Sequence, residues 1–313
     1  MELLALRWVL LSTLLSTSAS SSALREGDPK DPEEIEMDMA PDSFDDQYEG
    51  CEVKMWAKLQ KVNLSEFDTN DNYANTWKRA SAEWQERCGC PTQCPKLRQE
   101  LAIAVLAYTA RGGMYRKFNA ATRQGGQNHQ HYLNSYDFKT LHFVLTLALQ
   151  DLWKSDPNEC YKVFRGVKGI RFTTEEGQTV RFGQFTSASL KKEVAEKFGK
   201  DTVFVINTCY GAPIKQFSFF KYQDEILIPP FEVFEVIKIS NANGSNQIEL
   251  LSKEKKSNHN CELLKCQGRQ WGRGHQEVGL GLSPGLALHS LGCSNCSWGG
   301  SGHRERDPIP AAL

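Results

Sequence analysis

The sequence carries almost no net charge. Its 37 lysines and arginines stand against 38 aspartates and glutamates, leaving −1 at pH 7. No global field therefore draws the chain to nucleic acid or to an anionic membrane, and a charged ligand has to be held by local groups. A spanning helix is missing at the N-terminus too, because the apolar run at residues 8–15 is too short for a bilayer. The C-terminus shows no hydrophobic signal for a lipid anchor. Residues 278–291 are only mildly apolar, Ser283, Pro284 and His289 break them, and Arg304 and Arg306 follow where such a signal should end the chain. No histidine motif accompanies Ser187, which argues against a serine nucleophile with a histidine base there.

What is present is an ordinary globular composition, 40% hydrophobic and 24% charged over 313 residues. Arg7, the short apolar run and the small residues 16–23 read as a secretory signal over residues 1–24, with Glu2 the one misplaced charge. Secretion makes the ten cysteines disulfide candidates first. It also makes Asn63-Leu64-Ser65 and Asn243-Gly244-Ser245 candidate glycosylation sites, hence expected surface positions.

Residues 25–39 are acidic and poor in large apolar side chains, a linker with order expected to begin near Ala40. From there to Trp153 the apolar period is helical. Val53, Trp56, Leu59 and Val62 form one row, Tyr73, Trp77 and Trp84 a second, and Phe138, Leu141, Leu145, Leu149 and Leu152 a third. Residues 101–110 make an apolar helix that Gly112-Gly113 ends. His142 beside the third row reads as a core histidine. After Asp156-Pro157 short β-branched and aromatic runs follow, at 161–165, 179–185, 202–208, 214–220, 225–228, 231–239 and 247–251. One helix at 190–198, capped by Ser189, interrupts them. Helices first and strands after predict an α+β fold. Residues 267–313 are Gly- and Ser-rich without period, a tail expected to be disordered.

Three stretches of the second half carry polar groups at strand ends. Arg165, followed by Gly166, needs either an acidic partner or an anionic ligand, and a planar guanidinium suits phosphate. Gly166 would let a ligand approach the backbone. Ser187 in Phe185-Thr186-Ser187-Ala188-Ser189 is a hydrogen-bonding candidate. In Gln223-Asp224-Glu225-Ile226-Leu227-Ile228-Pro229-Pro230, strand alternation places Gln223 and Glu225 on one face, Asp224 away from them, and Ile226 and Ile228 on the other face.

Arg165, Ser187 and Glu225 fall in the order of an arginine, serine, glutamate signature. With Phe44-Asp45-Asp46-Gln47-Tyr48, Arg181-Phe182-Gly183-Gln184-Phe185 and Cys209-Tyr210-Gly211-Ala212-Pro213, the chain resembles the vertebrate ecto-mono-ADP-ribosyltransferases over roughly residues 38–266. The resemblance implies a catalytic domain at 40–266, with a mixed β core of two packed sheets and an N-terminal helical subdomain. It implies NAD as substrate, bound in the cleft between the sheets, no metal, and an extracellular or lumenal protein acceptor. Arg165 would contact the phosphate or ribose of NAD, and the Gly166 backbone the nicotinamide amide. Ser187 would orient the glutamate. Glu225 would hold the ribose 2′-hydroxyl and stabilise the positive charge that develops at the anomeric carbon. Tyr108, Gln184 and Ser218 match weaker cofactor-lining positions. The family pairing implies disulfides Cys51–Cys261 and Cys160–Cys209. Cys88, Cys90, Cys94, Cys266, Cys293 and Cys296 stay unassigned, with disulfide use favoured over metal for the first three.

One departure from the family pattern concerns the acceptor. Arginine-modifying members carry Glu-x-Glu, whereas Gln223 occupies the first position here and cannot act as a carboxylate base or ion partner. The primary expectation is ADP-ribosyl transfer to a protein side chain, arginine by family. NAD glycohydrolysis and a catalytically silent secreted binding module are the alternatives.

Overall fold

Order begins earlier than the acidic composition of residues 25–39 suggests. The computed structural model describes residues 31–88, 95–155, 159–242 and 245–265. Within them β1 (Glu33–Glu36) pairs in parallel with β3 (Ile170–Thr173), Glu33 opposite Ile170 and Glu36 opposite Thr173. Strand pairing uses backbone groups, which an acidic side-chain run leaves available. The proposed signal, the tail and Asn243 lie outside the described residues.

The helical half follows the apolar rows. α1 (Glu52–Thr69) buries Met55 and Leu59, while Val53 points out at 82% exposure. Asn63 continues the i, i+4 row of Met55 and Leu59 and is only 1% exposed. It is therefore not the surface sequon position expected. Asn70 caps α2 (Asp71–Arg87), accepting from Tyr73 N at 3.1 Å, and α2 turns Tyr73, Trp77 and Trp84 inward. α3 (Gln99–Thr109) is buried from Leu101 to Thr109, as its near-unbroken apolar sequence requires. Gly113, at φ +76°, adopts a left-handed conformation and opens α4 (Met114–Gln124). α5 (His129–Ser135) and α6 (Lys139–Lys154) complete this half. His142 on α6 is a satisfied core histidine. Tyr48 Oη lies 2.8 Å from its Nδ1 and the Phe44 carbonyl 3.1 Å from its Nε2, and burial lowers its pKa to about 3.

The other half is an eight-stranded mixed sheet, so the α+β expectation holds. Its strands are β2 (Tyr161–Val167), β4 (Thr179–Val180), β5 (Thr186–Ser189), β6 (Thr202–Thr208), β7 (Ala212–Pro213), β8 (Glu225–Ile228), β9 (Glu232–Ala242) and β10 (Ser245–Lys255), in the order β4-β9-β10-β6-β2-β5-β8-β7. Only β10 and β6 run parallel. The β1–β3 sheet packs on it through Phe172 and Phe204, ring centroids 5.4 Å apart. Along β8, Leu227 joins the core shared with the helices, and Ile226 and Ile228 join the core on the opposite face. Both implied disulfides are present, Cys51–Cys261 and Cys160–Cys209. Cys88 is also disulfide-bonded.

Three expected elements are replaced. Of residues 179–185 only Thr179 and Val180 pair, because Arg181 turns into the protein and donates to Asp45 Oδ2 at 2.6 Å. The 190–198 helix shrinks to α7 (Lys192–Ala195) and a following 3-10 turn, while Ser189 stays in β5. Residues 214–220 form no strand. Lys215–Phe217 form a 3-10 turn instead, and a second 3-10 turn follows at Lys221–Gln223. Contacts from the helices decide this against local β preference. Arg87 donates to the carbonyls of Gln216 and Ser218 at 3.2 and 3.1 Å. The Arg87 and Arg111 guanidiniums stand over the rings of Phe219 and Phe220, 5.7 and 5.4 Å from the centroids.

Candidate active site

The sheet opens where Arg165 lies. β2 and β5 share a single pair, Phe164 opposite Ser189. The β5–β8 ladder places Ser189 opposite Glu225. Phe164, Ser189 and Glu225 thus form one row over three strands. One residue further along β2 the ladder to β5 has ended, and the Arg165 side chain crosses the gap to donate to Ser187 O at 2.7 Å. Among the described residues its hydrogen-bond partner is a carbonyl, not a carboxylate. Burial holds its pKa below the usual guanidinium range, the one effect opposing its charge. Glu225 acts on it only through its field, and a cation in a gap between strands with no carboxylate in ion-pair contact among the described residues suits an anionic ligand.

Glu225 differs from the other buried carboxylates. Asp45 is met by Arg181 and by the N–H groups of Asn258 and His259. Asp46, Glu66 and Glu232 likewise accept backbone N–H bonds. Glu225, 6% exposed, is met by hydroxyls instead. Ser218 Oγ donates to its Oε2 at 3.3 Å. Burial raises its pKa, and hydrogen bonds from Ser187 and Ser218 partly offset this. The positive charge of Arg165 also favours its ionised form without touching it, and a buried carboxylate with no backbone N–H bond and no cation in contact is poised rather than used up.

The supporting residues divide by exposure. Ser187 is half-buried, and its hydroxyl lies close enough to Glu225 and Tyr108 to favour the ionised form of each. Tyr108 stands behind the site, donating to Phe185 O at 3.0 Å and accepting from Asn119 Nδ2 at 3.2 Å, with its pKa pushed up to about 12 by burial. Gln184 is half-buried, and its Oε1 accepts from Arg123. Ser218 is fully buried. Gly166 serves the chain's own packing. A Cβ there would lie 2.3 Å from Gly199 O and 2.4 Å from Ala195 O. A side chain there would collide with the end of α7 and with Gly199, so the fold itself requires a glycine at this position.

Gln223 does not share a strand face with Glu225. It ends a 3-10 turn, and Asp224 between them has φ +43°, so alternation breaks there. Gln223 is half-buried, beside the exposed Tyr222, with Nε2 3.4 Å from its hydroxyl. Asp224 reaches toward Lys191 and Lys215, an orientation set by its left-handed backbone and not by strand alternation. Asn119, Arg87 and Thr109 support the site without any signal in the sequence, since their roles depend on tertiary contacts. Among the described residues no cluster of His, Cys, Asp and Glu has the arrangement of a metal site. A cavity of about 580 Å³ elsewhere, between the start of α1, the end of α6 and Tyr210, shares none of these residues. Volume alone therefore does not locate the chemistry.

The family described as NAD:arginine ADP-ribosyltransferase matches residues 37–258. The chain is 64% identical over its whole length to NAD(P)(+)--arginine ADP-ribosyltransferase 2 of Gallus gallus, all of which is covered. It is 47% identical to the GPI-linked NAD(P)(+)--arginine ADP-ribosyltransferase 1 of Homo sapiens, over 83% of this chain and 84% of that one. The crystal structure of the eukaryotic mono-ADP-ribosyltransferase ART2.2 superposes with a TM-score of 0.63 at 38% identity, covering 72% of this chain and 98% of that one. A mutant of that enzyme in complex with NADH superposes equally, with a TM-score of 0.63 at 40% identity.

Proposed function

The chain belongs to the NAD:arginine ADP-ribosyltransferase family, and from that premise we propose that it cleaves NAD at Glu225 and transfers ADP-ribose to an arginine side chain of a protein. The observation that carries the reading is the buried Glu225 carboxylate, met by the Ser218 and Ser187 hydroxyls, near the strand gap that Arg165 bridges. NADP is a second donor of the same chemistry, since the relatives are named NAD(P)(+)--arginine ADP-ribosyltransferases.

In this reading Arg165 holds the anionic diphosphate or the ribose next to it. The bond between the ribose anomeric carbon and the nicotinamide nitrogen breaks. Its electron pair neutralises the pyridinium, which leaves as nicotinamide. The anomeric carbon becomes oxocarbenium-like, and the fixed carboxylate stabilises it more than it stabilises neutral ribose. A guanidinium nitrogen of the acceptor then bonds to that carbon and gives up a proton to solvent water, since Gln223 cannot accept it. Ser187 and Ser218 keep the carboxylate oriented without neutralising it. Gly166, Gln184 and Tyr108 shape the walls, Tyr108 from behind as a neutral phenol.

Gln223 favours a second reading, NAD glycohydrolysis, because water needs no carboxylate partner to be guided in. We place the protein outside the cell or in the secretory lumen. The signal-like residues 1–24 and the disulfides support this, and among the described residues no helix is long and apolar enough to cross a membrane. The test is nicotinamide release from NAD by the secreted protein, with and without an arginine analogue, following label from the adenosine half. Label on the analogue establishes transfer, free ADP-ribose alone establishes hydrolysis, and no nicotinamide release removes the enzyme reading.

A further inference from the structure

The residue between Gln223 and Glu225 takes no part in the chemistry above, yet it is the most heavily tied group of its loop. Asp224 Oδ2 meets Lys191 Nζ at 2.5 Å, and Oδ1 meets Lys215 Nζ. The two lysine side chains are about half exposed, whereas the Asp224 side chain is 13% exposed beneath them. The hydrogen bond to Lys191, and then that to Lys215, hold its carboxyl below the usual aspartate range. Its backbone is tied as well, since its carbonyl accepts from Leu190 N at 3.1 Å. Next to it the Gln223 carbonyl accepts from Ser189 Oγ at 2.6 Å.

These contacts join three segments. Lys191 follows β5, which carries Ser187. Lys215 opens the first 3-10 turn of the loop that carries Ser218. Asp224 itself is the hinge between the second turn and β8. Its left-handed backbone, φ +43°, turns Gln223 out of the direction of β8 while Glu225 stays in the sheet. Glu225 is held by the β5–β8 ladder, whose register ends at it. Gln223 lies beyond that ladder and depends on the hinge. We propose that Asp224 is a positioning residue, clamped between Lys191 and Lys215 so that Gln223 faces the incoming acceptor while Glu225 serves NAD. The assignment rests on the reading that Gln223 meets the acceptor side chain.

An ion clamp of this kind predicts a split between the two halves of the reaction. Asparagine tolerates the left-handed region, so Asp224→Asn keeps the backbone and removes the charge. Two partly exposed ion pairs are lost together, which predicts an acceptor KM raised about three- to tenfold and nicotinamide release into water changed less than about twofold. Raised ionic strength should increase the acceptor KM of the unaltered protein more than that of Asp224→Asn, because salt screens the exposed lysines. Lys191→Met with Lys215→Met should raise the acceptor KM alike, and adding Asp224→Asn to that pair should change nothing further.

The experiment measures steady-state nicotinamide release and label transfer to an arginine analogue for these variants and for Gln223→Ala, with thermal melting alongside. A raised acceptor KM in both Gln223→Ala and Asp224→Asn, with hydrolysis kept in Asp224→Asn, is the expected result. An acceptor KM that moves in Gln223→Ala but not in Asp224→Asn overturns the clamp alone. An acceptor KM untouched by Gln223→Ala removes the reading of Gln223, and the clamp's purpose with it. Equal loss of transfer and hydrolysis in Asp224→Asn overturns the clamp too, since the residue would then act on Glu225.

Discussion

Ser218 Oγ donates to Glu225 Oε2 at 3.3 Å while accepting from Phe220 N at 3.0 Å. The N–H bond occupies one lone pair and leaves the hydroxyl hydrogen free for the carboxylate. The Ser218 carbonyl is in turn held by Arg87 at 3.1 Å. The catalytic strand and the loop beside it are therefore connected through one serine, whose backbone is fastened to α2.

Glu225→Gln keeps the shape and the hydrogen-bonding size but removes the charge that the transition state needs. Nicotinamide release should fall by about a hundredfold or more, with kcat affected more than NAD affinity. Steady-state kinetics with a circular dichroism control checks this. Turnover near that of the unaltered protein would mean that another group stabilises the anomeric carbon.

Burial raises the Glu225 pKa, so its carboxylate is lost on acidification at a higher pH than an ordinary glutamate. The acid limb of kcat/KM should follow that raised value, which belongs to the free enzyme. Ser218→Ala removes a hydrogen bond to the charged form and should move the limb further up in pH. Stability runs the other way. A raised carboxyl contributes stability below its ordinary pKa and loses it as pH rises through the raised one. A limb that stays in place in Ser218→Ala would separate the serine from the carboxylate.

Gly166→Ala tests whether this glycine serves the fold or a ligand. The added Cβ would meet Gly199 O at 2.3 Å and Ala195 O at 2.4 Å, both backbone atoms. Overpacking of this kind costs about 3 kcal/mol, which for a domain of this size is roughly 6–12 °C in Tm. An unchanged Tm with a raised KM for NAD would restore the ligand role.

The Cys51–Cys261 bridge spans 210 residues and joins the start of α1 to the C-terminal segment. In the chain-entropy account, closing so long a loop contributes up to about 5 kcal/mol. Replacing both cysteines by serine should lower Tm sharply and leave the acceptor preference alone. Peptide mapping without reduction should recover the linked peptides, and free thiols at both positions would remove the bridge.

The readable parts of the sequence were those where one local rule decides. The rows of Tyr73, Trp77 and Trp84 and of Leu141, Leu145 and Leu149 are buried as helical periodicity requires. The strand at Glu225–Ile228 also falls where its β-branched and apolar residues place it. The loop before it was misread because Phe217, Phe219 and Phe220 look like a strand. Arg87, Arg111 and Thr109, more than a hundred residues earlier, pin them as turns. Val53 fits an apolar row yet faces outward, since Met55 and Leu59 take the core side. Asn63 satisfies a three-residue sequon but lies on that same core side, which a short motif cannot register. Asp224 lies where strand alternation no longer holds, and its lysine partners come from segments that only folding brings together.

Gln223→Glu tests acceptor choice at the one site where the chain departs from the Glu-x-Glu pattern. The break at Asp224 turns Gln223 out of the strand, half-buried beside Tyr222. A carboxylate there could pair with an arriving guanidinium and align one nitrogen with the anomeric carbon. Water gains nothing from such a clamp, so the ratio of transfer to hydrolysis should rise, by up to about fivefold if the new ion pair is worth what partly exposed pairs usually are. The substitution is nearly isosteric and the side chain reaches solvent, so Tm should stay within about 2 °C of the unaltered protein. Because Asp224 stays bound to Lys191 and Lys215, the new carboxylate need not compete for those lysines. Labelled NAD with an arginine analogue, scored as label transferred against free ADP-ribose, gives the ratio for both forms. An unchanged ratio would move acceptor selection to the exposed aromatic Tyr222, 66% accessible at the tip of the same turn, and Tyr222→Ala would then be the substitution that alters it.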